Sequence, residues 1–302
     1  MTTPAGAELL ANHPSVRRVI PYDKRGADAG VGGLLRVAAN VVPEEASAVA
    51  YLAQGSVRSA VLALRAGYRE RVGFNTSAGR WLYSRRLTYQ PAQHHAERLL
   101  RLARGEAAII APLDLTPSLY PSTADQSAVD ELLASRGARD ERLIALAPGS
   151  VWATKRWPGF PALARSLVAH GRIVIIGGMD DRDLASAISE SAPGAIDATG
   201  RLSLLGSAEL IRRAALLVTN DSLPQHLASA MGTRTVSLFG PTVPEFGFGP
   251  LAPHSVAVGH ETLPCRPCHP HGPAVCPLGH HLCMRDLAEP AVLARALRAL
   301  AA

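Results

Sequence analysis

The chain has 302 residues, 47 % hydrophobic and 19 % charged, with a formal net charge of +6. That length suits two domains of about 150 residues each, and that composition excludes a disordered chain. No apolar run reaches the roughly 18 residues of a bilayer span, and the start Met-Thr-Thr-Pro-Ala-Gly-Ala-Glu lacks the basic and apolar regions of a signal peptide, so the cytoplasm is the expected compartment.

In chain order, residues 16–22 read as a strand ending at the turn-like Asp23-Lys24-Arg25-Gly26. Residues 48–52 read as a second strand, followed by Gln54-Gly55 and a helix over 56–66. A short strand over 71–74 and a helix over 97–103 come next. Residues 112–128, rich in Pro, Ser, Thr and Asp, have the composition of a linker or surface loop, and a helix over 127–136 follows. The domain boundary is expected between about 120 and 142, giving domains 1–130 and 131–302.

Beyond it the alternation of strand and helix sharpens. Strands are expected at 143–147, 172–176, 216–219 and 235–239, with helices at 160–170, 207–214 and 224–231. Short apolar strands alternating with helices argue for an α/β fold, a parallel sheet covered on both faces. Ligands of such sheets sit beyond the carboxyl ends of the strands. Those ends are Pro148-Gly149-Ser150, Gly177-Gly178, Asn220-Asp221-Ser222 and Gly240-Pro241.

Twenty-nine of the 31 basic residues are Arg; Lys occurs only at 24 and 155. Such a bias follows equally from genome composition or from an acidic partner. Phe, Trp and Tyr total only 5 %, too few to interleave with basic residues, which argues against nucleic acid as that partner.

Two segments carry chemistry. In the first, a strand end with Gly149 and Ser150 leads through Lys155 toward a helix. Backbone N–H groups, a hydroxyl and one ammonium suit a diphosphate; the alternative is an ordinary loop with a solvated lysine. In the second, Thr219-Asn220-Asp221-Ser222-Leu223-Pro224-Gln225-His226, a strand again ends in polar residues at a helix start. Capping by Asp221 or Ser222 would explain either residue alone. It does not explain His226, and carboxylate, hydroxyl and imidazole together suit a sugar phosphate.

These segments resemble glycosyltransferase family 9: the glycine-and-lysine loop with Lys155-Arg156-Trp157-Pro158, and an Asn-Asp-Ser-Gly-Pro-x-His motif. Phe239-Gly240-Pro241-Thr242 is similar to the next family loop, and Pro277-Leu278-Gly279-His280-His281 resembles the heptosyltransferase II subgroup. The resemblance implies a GT-B fold, two Rossmann-like domains facing a cleft. It implies an inverting, metal-independent transfer of heptose from ADP-L-glycero-D-manno-heptose to the lipopolysaccharide inner core. Gly149, Ser150, Lys155, Asp221, Ser222 and His226 would serve the donor; Arg58 and Arg85 would serve the acceptor, their planar guanidiniums suiting phosphates or carboxylates. A peripheral contact with the inner face of the inner membrane is a further expectation.

The family opens with a strand, a Gly-Asp loop carrying the catalytic base, a helix and a strand. This chain begins at what resembles the third strand, so the base is expected to lie outside these residues and the catalytic residue is unknown. Leu223 stands where the family motif has glycine, whose absent side chain permits close approach to phosphate. A donor-binding protein with weak or no transfer, and a family 9 transferase with another acceptor, are the alternatives. Finally, all four cysteines fall in the Cys/His-rich stretch 264–284. The spacing of Cys265, Cys268, Cys276 and Cys283, remote in sequence from the donor motifs, resembles a metal knuckle that would suit a structural zinc; the alternative is a set of reduced, unliganded cysteines in a proline-rich loop.

Overall fold

The computed structural model describes residues 1–302. The chain divides into two compact units, Met1–Leu115 and Thr116–Ala302. In the first, the elements are α1 (Pro4–Leu9), α2 (Gly30–Asn40), β1 (Val49–Leu52), α3 (Val57–Arg65), β2 (Glu70–Phe74), β3 (Arg85–Leu87) and α4 (His95–Arg104). In the second they are α5 (Thr123–Ala134), β4 (Leu143–Ala147), α6 (Phe160–Leu167), β5 (Arg172–Ile175), α7 (Arg182–Ser191), β6 (Ile196–Asp197) and α8 (Leu204–Arg213). These are followed by β7 (Ala214–Asn220), α9 (Leu223–Met231), β8 (Thr235–Phe239), β9 (Val256–Gly259), α10 (Leu282–Arg285) and α11 (Glu289–Ala301).

Unit 1 holds a parallel sheet in the order β1-β2-β3. Helix α3 starts at Ser56, whose hydroxyl accepts the Ser59 N–H, and buries Ala60, Leu62 and Ala63. Its core is split into small clusters, such as Leu52, Ala60, Ala63 and Tyr83, and Val72, Phe74, Leu87 and Leu102. The strand expected at 16–22 does not form. Only an isolated bridge joins Thr2 to Pro21, because proline supplies no ladder N–H there and no strand runs alongside.

Unit 2 is a six-stranded, all-parallel sheet in the order β6-β5-β4-β7-β8-β9. Strands this buried lack a polar face, which is why β4 and β8 are buried at every position. Ile144, Leu146, Ile173, Ile175, Leu216, Val218, Val236 and Leu238 turn to one face. There they meet Phe160, Leu163 and Leu167 of α6, Ala185 and Ile188 of α7, and Val292, Ala296 and Leu300 of α11. Helices α8 and α9 pack on β7, α9 also on β8, and α5 lies against α8.

The division at Leu115–Thr116 lies upstream of the boundary expected from composition. Helix α5 belongs to unit 2: Arg213 on α8 pairs with Asp130 at 2.5 Å, and Ser203 Oγ donates to Asp125 Oδ1 at 2.6 Å. Asp125 also closes a capping box with Ser122, fixing the helix start inside the stretch expected to be a linker.

Candidate functional site

The strand order fixes where a ligand site can form. Chain direction along the sheet reverses between β4 and β7: β4 runs outward to β5 and β6, and β7 to β8 and β9. The crevice outside the carboxyl ends of such a pair is the usual ligand position of a doubly wound sheet. Both motifs singled out by sequence emerge there, Gly149-Ser150 after β4 and Asp221-Ser222 after β7.

Asn220, fully buried, staples the two loops together. Its Oδ1 accepts the Trp157 N–H at 3.1 Å and its Nδ2 donates to the Pro148 carbonyl at 2.7 Å. Ser222 precedes α9 without capping it through its side chain; its Oγ donates to the Gly149 carbonyl at 3.3 Å. The helix-cap explanation of Ser222 therefore fails, and the residue joins the two loops. Gly149 packs closely: a Cβ there would lie 2.4 Å from both carboxylate oxygens of Asp181, which accepts the Gly178 N–H at 3.0 Å, so a larger residue would have to push that carboxylate aside.

Lys155 is not the solvated cation expected of an ordinary loop. Its Nζ lies 2.6 Å from Asp221 Oδ2, with the two side chains only 11 % and 10 % exposed. Nζ also donates to the Asp221 carbonyl at 3.2 Å. Asp221 Oδ2 further accepts the Thr242 hydroxyl at 2.7 Å, and Gln225 Nε2 lies 3.5 Å from Oδ1 while donating to the Phe248 carbonyl at 2.5 Å. A buried charge pair is stable only when its remaining lone pairs are satisfied, and Thr242 and Gln225 do this.

Above the pair opens a cavity of about 440 Å³. Ser150, Lys155, Asp221, Ser222 and His226 all line it, so five of the six expected donor residues converge, with Gly149 directly behind Ser150. Trp152, Phe248 and His271 line it too, and Leu223 stands at its edge, 43 % exposed. Of the contributors that sequence reasoning missed, Thr242 had a signal, since it closes the Gly240-Pro241 strand end. Gln225 sits within the segment 219–226, four residues after Asp221, whereas Phe248 and His271 had no signal, because long-range packing alone brings them in.

Residues 41–275 match the sequence profile of glycosyltransferase family 9 (heptosyltransferase). The chain belongs to glycosyltransferase family 9. It is 30 % identical to lipopolysaccharide heptosyltransferase 1 of Pseudomonas aeruginosa over 87 % of this chain and 74 % of that protein. It is 28 % identical to lipopolysaccharide heptosyltransferase 2 of Salmonella typhimurium, over 79 % and 72 %. Among solved structures, ADP-heptose lipopolysaccharide heptosyltransferase II of E. coli superposes with a TM-score of 0.73 at 22 % identity, covering 99 % of this chain and 88 % of that one. A family 9 glycosyltransferase from Veillonella parvula gives 0.75 at 23 %, covering 85 % and 76 %. The fold is thus that of the family's GT-B members.

The Cys/His-rich stretch 264–284 also meets the site. It is remote in sequence but folds onto the lysine loop. Thr154 Oγ1 donates to the Pro273 carbonyl, His281 Nε2 donates to the Thr154 carbonyl at 2.5 Å, and Gly272 packs on the Lys155 stem. Arg266 fastens it to the end of β8, donating to the carbonyls of Gly240 at 2.6 Å, Phe239 at 2.9 Å, Thr242 at 3.0 Å and also His260.

The four cysteines form no disulfide. No three His, Cys, Asp or Glu side chains of the chain gather closely enough to hold a metal ion. Cys268 Sγ is turned to the Cys265 carbonyl at 3.1 Å, and Cys265 Sγ is 3.9 Å from His280 Nε2. Burial, with the neighbouring cysteines adding to it, pushes the Cys283 thiol up to about 11, so it is the group least ready to become a thiolate. Cys276 goes the other way, held below its ordinary value by backbone N–H groups, that of His281 foremost.

In unit 1, Arg58 Nη1 donates to the Lys24 carbonyl at 3.4 Å, and Arg85 pairs with Glu70 at 3.1 Å. Each serves a different local partner. Asp23 accepts the Gly26 N–H at 2.9 Å, and so is spent on its own turn. No helix of the chain is long and apolar enough to cross a membrane.

Proposed function

We propose that this protein transfers heptose from ADP-heptose to the lipopolysaccharide inner core, with the donor bound in the cavity between the ends of β4 and β7. The observation that carries this reading is the buried Lys155–Asp221 pair on the floor of that cavity. Lys155 meets the diphosphate as a point charge, and the Gly149-Ser150 backbone and Ser222 hydroxyl supply further donors. Asp221 orients the sugar, its oxygens already taken up by Lys155, Thr242 and Gln225. It is therefore not assigned as the base. His226 borders the sugar-phosphate end, with its ring 6.4 Å from that of Phe248. No metal enters the mechanism.

The acceptor is assigned to unit 1, through Arg58 and Arg85. Unit 1 has 15 Lys and Arg against 9 Asp and Glu, whereas unit 2 has 16 of each, so the whole positive excess sits on unit 1. A basic unit suits a phosphorylated, acidic acceptor and the inner face of the inner membrane where such an acceptor lies, in keeping with a cytoplasmic protein. The test is transfer from ADP-heptose to a heptose-deficient core acceptor in EDTA, followed by mass spectrometry. A mass gain of one heptose is expected. ADP binding without turnover would reduce the reading to a donor-binding protein, and no ADP binding would overturn it.

A further inference from the structure

The stretch 264–284 supplies one wall of the donor cavity, and its four histidines are not equivalent there. His269 Nδ1 accepts the His271 N–H at 3.1 Å, closing a local turn. His280 Nδ1 accepts the Leu282 N–H at 3.0 Å, and its Nε2 faces Cys265 Sγ. His281 Nε2 is bound to the Thr154 carbonyl. These three hold the stretch in shape. His271 differs: its ring nitrogens make no hydrogen bond within the chain, it is exposed, and it lines the cavity with Lys155, Ser222 and His226. Its ring centroid lies 6.4 Å from that of Phe248, the same separation as between His226 and Phe248, so two imidazoles border one aromatic ring at the cavity edge.

The backbone beside His271 is fixed against the lysine. Gly272 has φ +82°, and a Cβ there would come within 2.8 Å of Lys155 Cε, so only glycine lets the chain pass this close. The Thr154–Pro273 hydrogen bond pins the following residue. The packing of Gly272 on the Lys155 stem and the Thr154–Pro273 hydrogen bond thus hold His271 at the cavity that Lys155 also lines. An imidazole N–H and an ammonium that line one cavity can both donate to an anion lying between them.

We propose that His271 is a further donor-binding residue, whose imidazole N–H, together with Lys155, holds the diphosphate of the nucleotide sugar. This rests on the donor reading above and adds to it a residue from outside the two donor motifs. It also gives the Cys/His-rich stretch a role, as the element that carries His271 to the site.

The test titrates wild type, His271→Ala and His271→Gln with ADP and with adenosine, all in EDTA, with thermal unfolding run on each sample. For His271→Ala, ADP affinity should fall roughly tenfold, as for loss of one charge-assisted hydrogen bond, while adenosine affinity and the unfolding midpoint stay put. His271→Gln, which keeps an N–H donor, should recover part of the loss. Unchanged ADP affinity in His271→Ala overturns the proposal, as does an equal loss toward adenosine, which would mark a merely structural role. Failure of the wild type to bind ADP takes down the donor reading itself. Equal ADP affinity of wild type and His271→Ala in EDTA, with a difference only when zinc is added, would make His271 a metal ligand and also overturns it.

Discussion

Replacing Lys155 tests the buried pair most directly, because stability and ligand affinity must both respond. At 2.6 Å and an effective dielectric constant of about 20, Coulomb attraction is roughly 6 kcal/mol, much of it offset by desolvation of the two groups. Lys155→Met leaves the Asp221 carboxylate nearly buried with only Thr242 and a long contact to Gln225. Stranding a buried charge costs about 3–5 kcal/mol. The Thr242 hydrogen bond and water entering from the adjoining cavity bring the expectation for unit 2 down to about 2–3 kcal/mol. Asp221→Asn should cost a similar amount by stranding the ammonium. The double variant strands neither charge and should cost less than the two single losses together by about 1.5–3 kcal/mol. Urea unfolding followed by Trp fluorescence reads this, since Trp157 is buried against Phe160 in the unit 2 core. In parallel, Lys155→Met should weaken ADP binding by about 1–3 kcal/mol, or roughly 5- to 150-fold, measured by calorimetry. Additive stability losses, with the double variant as damaged as the sum of the singles, would refute the coupling on which the site is built.

Gly149→Ala should lose about 1–3 kcal/mol of stability through the clash with Asp181, and adding Asp181→Ala should restore part of it; wild-type unfolding of the single variant would refute the close approach. Cys276, with its lowered pKa, should alkylate first, and its rate should level off at a lower pH than the others. Cys283, raised to about 11, should alkylate last and only when the protein unfolds, as read by mass spectrometry of iodoacetamide-treated protein. Equal rates at Cys276 and Cys283 in the native protein would contradict the environments described. Elemental analysis of untagged protein decides the reading from cysteine spacing: about one zinc with protected thiols bears it out, and metal near zero with all four thiols open to a thiol reagent refutes it.

Sequence by itself determined the fold class and most of the residues that line the cavity between β4 and β7. Strands β4, β7 and β8 were legible because burial on both faces demands a continuous apolar run, and because each ends in residues that break a strand. The same ends carry Ser150, Asp221 and Ser222, so the doubly wound topology made position in the chain a guide to position in the cavity. Weaker elements escaped. Strand β3, Arg85–Leu87, has two exposed arginines and forms only because β2 lies beside it; helix α2 carries three glycines and is held by packing on α3. Tertiary structure alone decided that α5 belongs to unit 2, through an ion pair between Asp130 and Arg213, and that Lys155 is paired with Asp221. It alone carried His271 to the cavity, through hydrogen bonds from Thr154 to Pro273 and from Arg266 to the end of β8. These contacts join residues far apart in sequence, and neither periodicity nor local propensity encodes which distant partner a side chain will meet.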